Sequence, residues 1–147
     1  MEMENKTILL VEDDPEDGIL TLRALRKNNI GKRVFVAQDG VEALDFLFCR
    51  NTSADRDPQN LPQLILLDLH LPKLDGLEVL RRLRADQRTR RLPVVLLTSS
   101  KEEQDVVEGY ETGANSYIRK PVDFAQFVES IRQLCTYWLA LNEAPPT

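Results

Sequence analysis

The stretch "LILLDLHLP", residues 64–72, decides the fold because its apolar run ends at a carboxylate, Asp68. A short continuous apolar run is typical of a strand buried on both faces of a parallel sheet. A lone carboxylate at the end of a buried strand costs free energy unless another group pairs with it. We therefore expect the rest of the sequence to supply a partner for Asp68.

Similar apolar runs recur along the chain and alternate with segments of helical spacing. The sequence predicts strands at residues 7–13, 33–38, 64–68, 93–100 and 115–121. It predicts helices at residues 15–28, 40–49 and 76–85, and two more that reach about residues 112 and 141. Five strands that alternate with five helices predict an α/β fold with a doubly wound parallel sheet.

Short polar signals mark where three of these helices should begin. Asp14 precedes a proline and is a plausible N-cap for the first helix. Ser100 and Glu103 have the spacing of a capping box, and Asp123 is placed to cap the final helix. These signals predict starts just after residues 14, 100 and 123.

Length and composition limit the classes of protein that the chain can belong to. The chain has 147 residues, 42% of them hydrophobic, which fits one domain over residues 1–147. No apolar run is long enough for a membrane span, the first residues do not resemble a signal peptide, and the net charge of −5 argues against coating nucleic acid. Cys49 and Cys135 form no recognisable motif, which favours free thiols and a cytoplasmic location.

The residues that end the predicted strands form the candidate site, because ligands of such sheets bind at the carboxyl ends of the strands. These residues are Glu12, Asp13, Asp68, Thr98 and Lys120. Three neighbouring acids repel one another unless a cation binds, and carboxylate oxygens suit Mg²⁺, for which Mn²⁺ or Ca²⁺ could substitute. Asp68 could then attack phosphorus as a nucleophile, while Lys120 and Thr98 stabilise the phosphoryl oxygens.

Other functions that use a similar sheet fit the sequence less well. A phosphatase of the haloacid dehalogenase type needs a second acid two residues after the first, where this chain has His70. The acidic stretch "EDDPEDG" does not suit a flavin phosphate, and glycine patterns for nucleotides are missing from the sequence. The remaining alternative is an interaction module that signals without phosphorylation.

Six arginines form a basic stretch after residue 80 that the phosphoryl chemistry does not use. They are Arg81, Arg82, Arg84, Arg88, Arg90 and Arg91. A solvated helix end with its loop explains them, and so does a contact for an acidic partner. Both explanations remain open from the sequence.

The motifs "LLVEDDP", "LILLDLHLPKLDG", "VVLLTSS" and "YIRKP" resemble, in order and spacing, the receiver domain of two-component response regulators over residues 6–135. The resemblance implies the strand order 2-1-3-4-5 and a phosphoacceptor that assists its own phosphorylation and dephosphorylation without being a true enzyme. It assigns phosphate acceptance to Asp68, with Lys120 contacting the phosphate. It also implies a cis peptide bond between Lys120 and Pro121.

The same resemblance implies a metal site and a switch. Asp13 and Asp68 would bind Mg²⁺ directly, Glu12 through water, and His70 through its backbone carbonyl. His70 replaces the asparagine common in this family, and a backbone ligand should tolerate that change. The switch pair would be Thr98 and Tyr117.

A narrower resemblance concerns the partner. The long segment before the third strand, "LPVVLLTSS", and "KPVDFAQF" followed by "YWL" are similar to the cyanobacterial phytochrome response regulators. This similarity implies a histidine kinase partner of the phytochrome class. No output domain is expected after the last helix, so signalling would use protein contacts rather than DNA.

The final helix predicts a homodimer. Its continuation after residue 133 is apolar on nearly every side, and such a helix must be covered on more than one face. We expect a symmetric dimer through the face of the fourth helix, fifth strand and fifth helix, with the extension 136–147 contributing. Its expected contacts are Phe127, Leu134, Tyr137 and Trp138. The alternative is that this end folds back over the edge of its own sheet.

Overall fold

Five parallel strands alternate with five helices in the computed structural model, which describes residues 6–30 and 33–146. The strands are β1 (Ile8–Val11), β2 (Val34–Ala37), β3 (Leu64–Leu67), β4 (Val94–Thr98) and β5 (Ser116–Arg119). The helices are α1 (Pro15–Lys27), α2 (Gly40–Phe48), α3 (Gly76–Ala85), α4 (Glu103–Thr112) and α5 (Phe124–Cys135). The sheet order is β2-β1-β3-β4-β5, which confirms the predicted doubly wound fold.

The central strands are buried on both faces, which explains their continuous apolar runs. Leu9, Leu67 and their neighbours face a layer that includes side chains of α2 and α3. Leu10 and Leu66 face the opposite layer, together with side chains of α1 and α5. The sheet therefore separates two apolar layers.

Two of the three predicted helix caps are confirmed. The Asp14 carboxylate accepts hydrogen bonds from the backbone N–H groups of Glu16 and Asp17, at 2.9 and 3.4 Å. Asp123 accepts one from Ala125 at 3.4 Å. The capping box of Ser100 with Glu103 is wrong, because Glu102 occupies the N-cap position of α4 without a side-chain capping bond.

The C-terminal helix extends as far as the sequence predicts, but it widens at its end. After Cys135 the chain continues as a π-helical segment, Thr136–Leu141. Phe127 and Leu134 lie in the core beside α1 and the sheet, with only 5% and 6% of their surfaces exposed. Tyr137 remains half exposed, and its ring meets that of Trp138 edge to face at 4.9 Å.

Arg84 is a structural residue rather than part of a solvated helix end. Its guanidinium donates to the carbonyls of Gly113, Arg90 and Leu92 at 2.8 to 3.0 Å. It also donates to the side-chain oxygen of Asn115 at 2.9 Å. These bonds tie the end of α3 to the end of α4 and to the start of β4.

The backbone geometry corrects the expectation of a cis peptide bond. Every peptide bond of residues 6–30 and 33–146 is trans, so the expected cis bond between Lys120 and Pro121 is wrong. The trans form is the more stable one for an X–Pro bond by about 0.5–1 kcal/mol.

Cys49 and Cys135 are free thiols, the first half-buried and the second buried. Among the described helices, none combines the length and apolarity that a bilayer span requires.

Candidate functional site

The register of the sheet brings the acidic residues together. Val11 lies opposite Leu67 in the β1–β3 pair, so the residues that follow these strands emerge side by side. Oxygens of Glu12, Asp13 and Asp68 all lie within 4.8 Å of one another. Glu12 is buried, Asp68 is half-buried and Asp13 is exposed, so the cluster opens from the core toward solvent.

Lys120 reaches this cluster from the end of β5. Its ammonium pairs with Glu12, lies 3.3 Å from Asp17 Oδ2 and lies 3.7 Å from Asp68 Oδ2. It is therefore the cationic partner that the position of Asp68 requires. The position of Thr98 beside it is fixed by the backbone, since the Lys120 N–H donates to the Thr98 carbonyl at 2.9 Å.

Asp17 is a member of the site that the sequence analysis missed. It lies in the first turn of α1, where acidic residues are common because they complement the helix dipole. The usable signal was its position, because α1 begins at the carboxyl edge of the sheet where β1 ends. A first-turn side chain at that edge can reach the pocket, and Asp17 does.

Burial and like charge shape the electrostatics of the pocket. Burial, with the neighbouring Asp68 carboxylate, raises the pKa of Glu12 to about 7 against the opposing effect of Lys120. Burial would lower the pKa of Lys120, but its carboxylate partners, Glu12 first, raise it. One ammonium thus contacts the carboxylates of Glu12, Asp17 and Asp68. Asp13 adds a further carboxylate beside Glu12 and Asp68, so acidic groups outnumber the cation.

The donor set fits a hard divalent cation. Ions such as Mg²⁺ bind oxygen ligands and use one or two carboxylates while retaining waters. Three carboxylates from two adjacent strand ends, one of them exposed, provide such ligands and leave room on the solvent side. Glu12, Asp13 and Asp68 are therefore the residues that could hold the ion.

The turn after β3 holds Asp68 against the start of α3. The backbone N–H of Gly76 donates to the Leu69 carbonyl at 2.9 Å. A Cβ at Gly76 would overlap the Asp68 carbonyl and would lie 2.8 Å from that of Leu69. Gly76 is therefore a close-packing residue beside the backbone of Asp68.

The loop after β4 connects the two expected switch residues. Thr98 is buried, and its hydroxyl accepts a hydrogen bond from the Ser100 N–H at 3.3 Å. The Tyr117 hydroxyl donates to the Ser100 carbonyl at 3.4 Å, while its ring lies against Gly109 of α4. The backbone of Ser100 thus contacts both residues.

His70 lies at the mouth of the site. Its backbone N–H donates to Asp68 Oδ1 at 3.4 Å, and its Nε2 lies 3.3 Å from Asp105 Oδ2. The Ser100 hydroxyl donates to the same oxygen of Asp105 at 2.5 Å. The imidazole therefore bridges the loop after β3 to α4 and does not enter the acidic cluster.

Comparison with known proteins identifies the family. The family model for the response regulator receiver domain matches residues 8–132, and the chain belongs to this family. Response regulator Rcp1 of Synechocystis sp. is 36% identical over 140 residues, which cover 95% of this chain and 93% of Rcp1. The probable methanogenesis regulatory protein FilR2 of Methanothrix harundinacea is 37% identical over 138 residues, which cover 94% of this chain and 86% of FilR2.

Solved structures agree with the family assignment. The phosphorylated cyanobacterial phytochrome response regulator RcpA has a TM-score of 0.87 at 35% identity, over 96% of this chain and 99% of RcpA. The Mn²⁺-bound form of Rcp1 gives 0.84 at 35% identity, over 96% and 99% of the two chains. The bacteriophytochrome response regulator RtBRR gives 0.77 at 50% identity, over 96% of this chain and 84% of RtBRR.

Proposed function

We propose that Asp68 accepts a phosphoryl group from a histidine kinase and that the protein signals through protein contacts. The observation that carries this proposal is that Asp68 lies close to Lys120 and to two further acids at the carboxyl ends of the strands. A module that signals without phosphorylation would have no need for a cluster of mutually repelling carboxylates. Membership of the receiver family supports the same conclusion.

In the proposed reaction an oxygen of Asp68 attacks the phosphorus of a phosphohistidine. The new O–P bond forms as the P–N bond breaks, and the imidazole leaves with the electron pair of that bond. The Lys120 ammonium, 3.7 Å from Asp68 Oδ2, compensates charge on the phosphoryl oxygens, and the Thr98 hydroxyl can donate to one of them. Attack by water on the aspartyl phosphate would reverse the modification, as autodephosphorylation.

We propose Mg²⁺ as the ion of the site. It would be held by Asp13 and Asp68 directly, by Glu12 through water and by the backbone carbonyl of His70. When bound, the ion supplies positive charge that offsets the acids and the phosphoryl oxygens. The Mn²⁺-bound form of the relative Rcp1 supports a divalent site, and Mn²⁺ or Ca²⁺ should substitute in vitro.

We further propose that the kinase partner is a phytochrome, because RcpA and RtBRR are described as phytochrome response regulators. A phosphohistidine must approach Asp68 from the edge where the strands end. Ile19, Leu20 and Val122 are exposed apolar residues that follow Asp17 or Lys120 within three positions in the sequence, and they could contact the kinase there. The free thiols Cys49 and Cys135 support a cytoplasmic location for this exchange.

A phosphate-affinity gel after incubation with acetyl phosphate and Mg²⁺ tests the assignment of Asp68. We expect a shifted band for the wild type, no shifted band for Asp68→Asn and no shifted band in EDTA. The matched control is Asp75→Asn, because Asp75 is an exposed acid on the same loop and forms no side-chain capping bond. Full labelling of Asp68→Asn would refute the proposal, as would equal losses in both variants.

A further inference from the structure

Lys120 divides its hydrogen bonds unequally among the carboxylates around it. Its ammonium donates to Glu12 and, at 3.3 Å, to Asp17 Oδ2. Asp68 Oδ2 lies 3.7 Å from the same nitrogen, which is beyond the range of a hydrogen bond. The lysine that should contact the phosphoryl group is thus bonded to two acids, and neither of them is the acceptor.

Of these two acids, Asp17 is the one beside solvent. The Glu12 side chain is only 2% exposed, whereas that of Asp17 is 34% exposed. A buried ion pair is costly to separate because each charge is left without a partner, whereas water can replace an exposed partner. The bond between Lys120 and Asp17 is therefore the one that can open without leaving a buried charge unpaired.

Asp17 itself is held in place by its helix. Its backbone N–H donates to the Asp14 carboxylate at 3.4 Å, and its carbonyl accepts from the Thr21 hydroxyl at 2.9 Å. Farther along the chain, α1 packs against α5. Because these contacts fix α1, the ammonium rather than the carboxylate must move when Lys120 approaches a group on Asp68.

The helix dipole alone does not explain the placement of this acid. Glu16 lies beside Asp17 in the first turn of α1, where either carboxylate complements the dipole. Glu16 is exposed and takes part in no ion pair within the part of the chain that the structure describes. Asp17 instead adds negative charge to a pocket in which acids already outnumber the cation.

This added charge opposes phosphoryl transfer in two ways. An ammonium has three N–H donors, and Asp17 occupies one that a phosphoryl oxygen could use. Its carboxylate also repels an anionic phosphoryl donor that enters the pocket. We propose that Asp17 is a positioning residue that competes with the phosphoryl group for Lys120 and thereby restrains phosphorylation of Asp68. This role rests on the proposed function, because it requires Asp68 to be the acceptor.

Phosphorylation rates with acetyl phosphate and Mg²⁺ test this role on the full chain. We expect Asp17→Asn to be labelled about three times faster than the wild type, because a neutral amide holds the ammonium less strongly. Glu16→Gln is the matched control, since it removes one charge from the same turn, and its rate should stay within about 1.5-fold of the wild type. Urea unfolding verifies that both variants remain folded.

Nitrogen-15 NMR of the lysine ammonium groups in EDTA provides a second readout, which does not depend on phosphorylation. The resonance of Lys120 Nζ, assigned by its loss in Lys120→Arg, should shift in Asp17→Asn and stay in place in Glu16→Gln. Repulsion of the donor alone would raise the rate of Asp17→Asn without moving this resonance.

An unchanged or slower rate in Asp17→Asn would overturn this role but not the proposed function, because the wild type would still be labelled. Equal acceleration in Glu16→Gln would overturn it as well, since any lost charge would then suffice. Faster labelling of Asp17→Asn with an unshifted Lys120 resonance would have the same consequence. A wild type that is not labelled at all would overturn the proposed function and this role together.

Discussion

Lys120 is the residue on which the charge balance of the site depends. It reaches Glu12, Asp17 and Asp68, which come from two separate stretches of the chain, residues 12–17 and the end of β3. A buried ammonium compensates one charge, and the remaining carboxylates repel one another across a few ångströms. The folded protein therefore carries unfavourable electrostatic energy at this site that a bound cation would relieve.

Replacing Asp68 should consequently stabilise the metal-free protein. In EDTA at neutral pH we expect Asp68→Asn to raise the free energy of unfolding by about 1 kcal/mol, because it removes one charged carboxylate from a repelling cluster in which Glu12, with its pKa of about 7, is only partly ionised. The melting temperature should rise by about 2–4 °C. Saturating Mg²⁺ should reduce the difference in melting temperature between the variant and the wild type, because the Asp68 carboxylate binds the ion better than an amide does.

Differential scanning calorimetry in EDTA and in Mg²⁺ measures the melting temperature and the free energy of unfolding of both proteins. Asp75→Asn serves as the control for loss of one charge on the same loop and should leave the melting temperature nearly unchanged. A lower melting temperature of Asp68→Asn in EDTA would mean that the attraction to Lys120 outweighs the repulsion among the acids.

For single residues, membership of the site was predictable when the residue follows a predicted strand, because the strand determines at which edge of the sheet the residue lies. Glu12, Asp68 and Lys120 follow buried runs in the sequence, and parallel strands place such residues at one edge. Asp17 and Arg84 lie in helices, where their charge suited an ordinary solvated surface equally well. Only the tertiary structure shows that the first reaches Lys120 and that the second binds backbone carbonyls.

At the scale of elements, the turn between β3 and α3 sets the position of the acceptor. We expect Gly76→Ala to lower the free energy of unfolding by about 2 kcal/mol, because its Cβ would overlap the Asp68 carbonyl. Displacement of that backbone should also slow phosphorylation by acetyl phosphate. Urea unfolding and the phosphate-affinity gel provide the two measurements.

Gly18→Ala is the control for the change from glycine to alanine. A Cβ at Gly18 would meet only the Glu12 side chain, at an ordinary 3.9 Å. Because Gly18 lies within α1, alanine should stabilise the protein by roughly 0.5–1 kcal/mol. Equal effects of the two variants would show that the close approach at Gly76 has no special role.

The loop after β4 should carry the signal from the site to α4. If Thr98 moves toward a phosphoryl group, the hydrogen bond to Ser100 must rearrange, and Tyr117 contacts the same residue. We expect Tyr117→Ala to accept phosphate but to lose at least about half of the change in hydrogen exchange of α4. Tyr117→Phe, which keeps the ring, separates loss of the hydroxyl from loss of packing.

Tyr110→Ala is the matched control, because Tyr110 lies on α4 with its side chain exposed. It should retain the wild-type exchange response. A full response in Tyr117→Ala would contradict the proposed coupling of Thr98 and Tyr117.

Helix and strand types followed from the sequence, whereas details at their ends did not. Apolar runs and helical spacing are repeated signals, and all five strands and five helices formed where they predict. A cap depends on one side chain, and the Ser100 hydroxyl formed a bond with Asp105 instead. The isomer of the Lys120–Pro121 bond likewise depends on a single local preference.

For the whole molecule, the C-terminal segment is the proposed dimer contact. Tyr137 is 50% exposed and Leu141 is 71% exposed, whereas Phe127 and Leu134 are covered by the protein's own core. Phe127 and Leu134 can therefore support an interface from within the core, but they present little surface to a partner. Trp138 packs between the core and Tyr137 and would anchor the contact.

Sedimentation velocity tests this dimer. We expect wild-type protein to sediment as a dimer at about tens of micromolar and Tyr137→Ser with Leu141→Ser to sediment as a monomer. Ile19→Ser is the control, because Ile19 is an exposed apolar residue on a different helix. A monomeric wild type, with or without phosphorylation, would rule the dimer out.

The division of the core by the sheet has a consequence for how many proteins can bind to one copy of the chain at the same time. Helices α2 and α3 pack on one side of the sheet, and α5 with its extension packs on the other. Two proteins bound to these sides would not exclude each other, and each would be held at a high effective concentration near the other without any conformational change. A dimer formed through α5 and its extension would therefore leave the surfaces of α2 and α3 open, one on each copy.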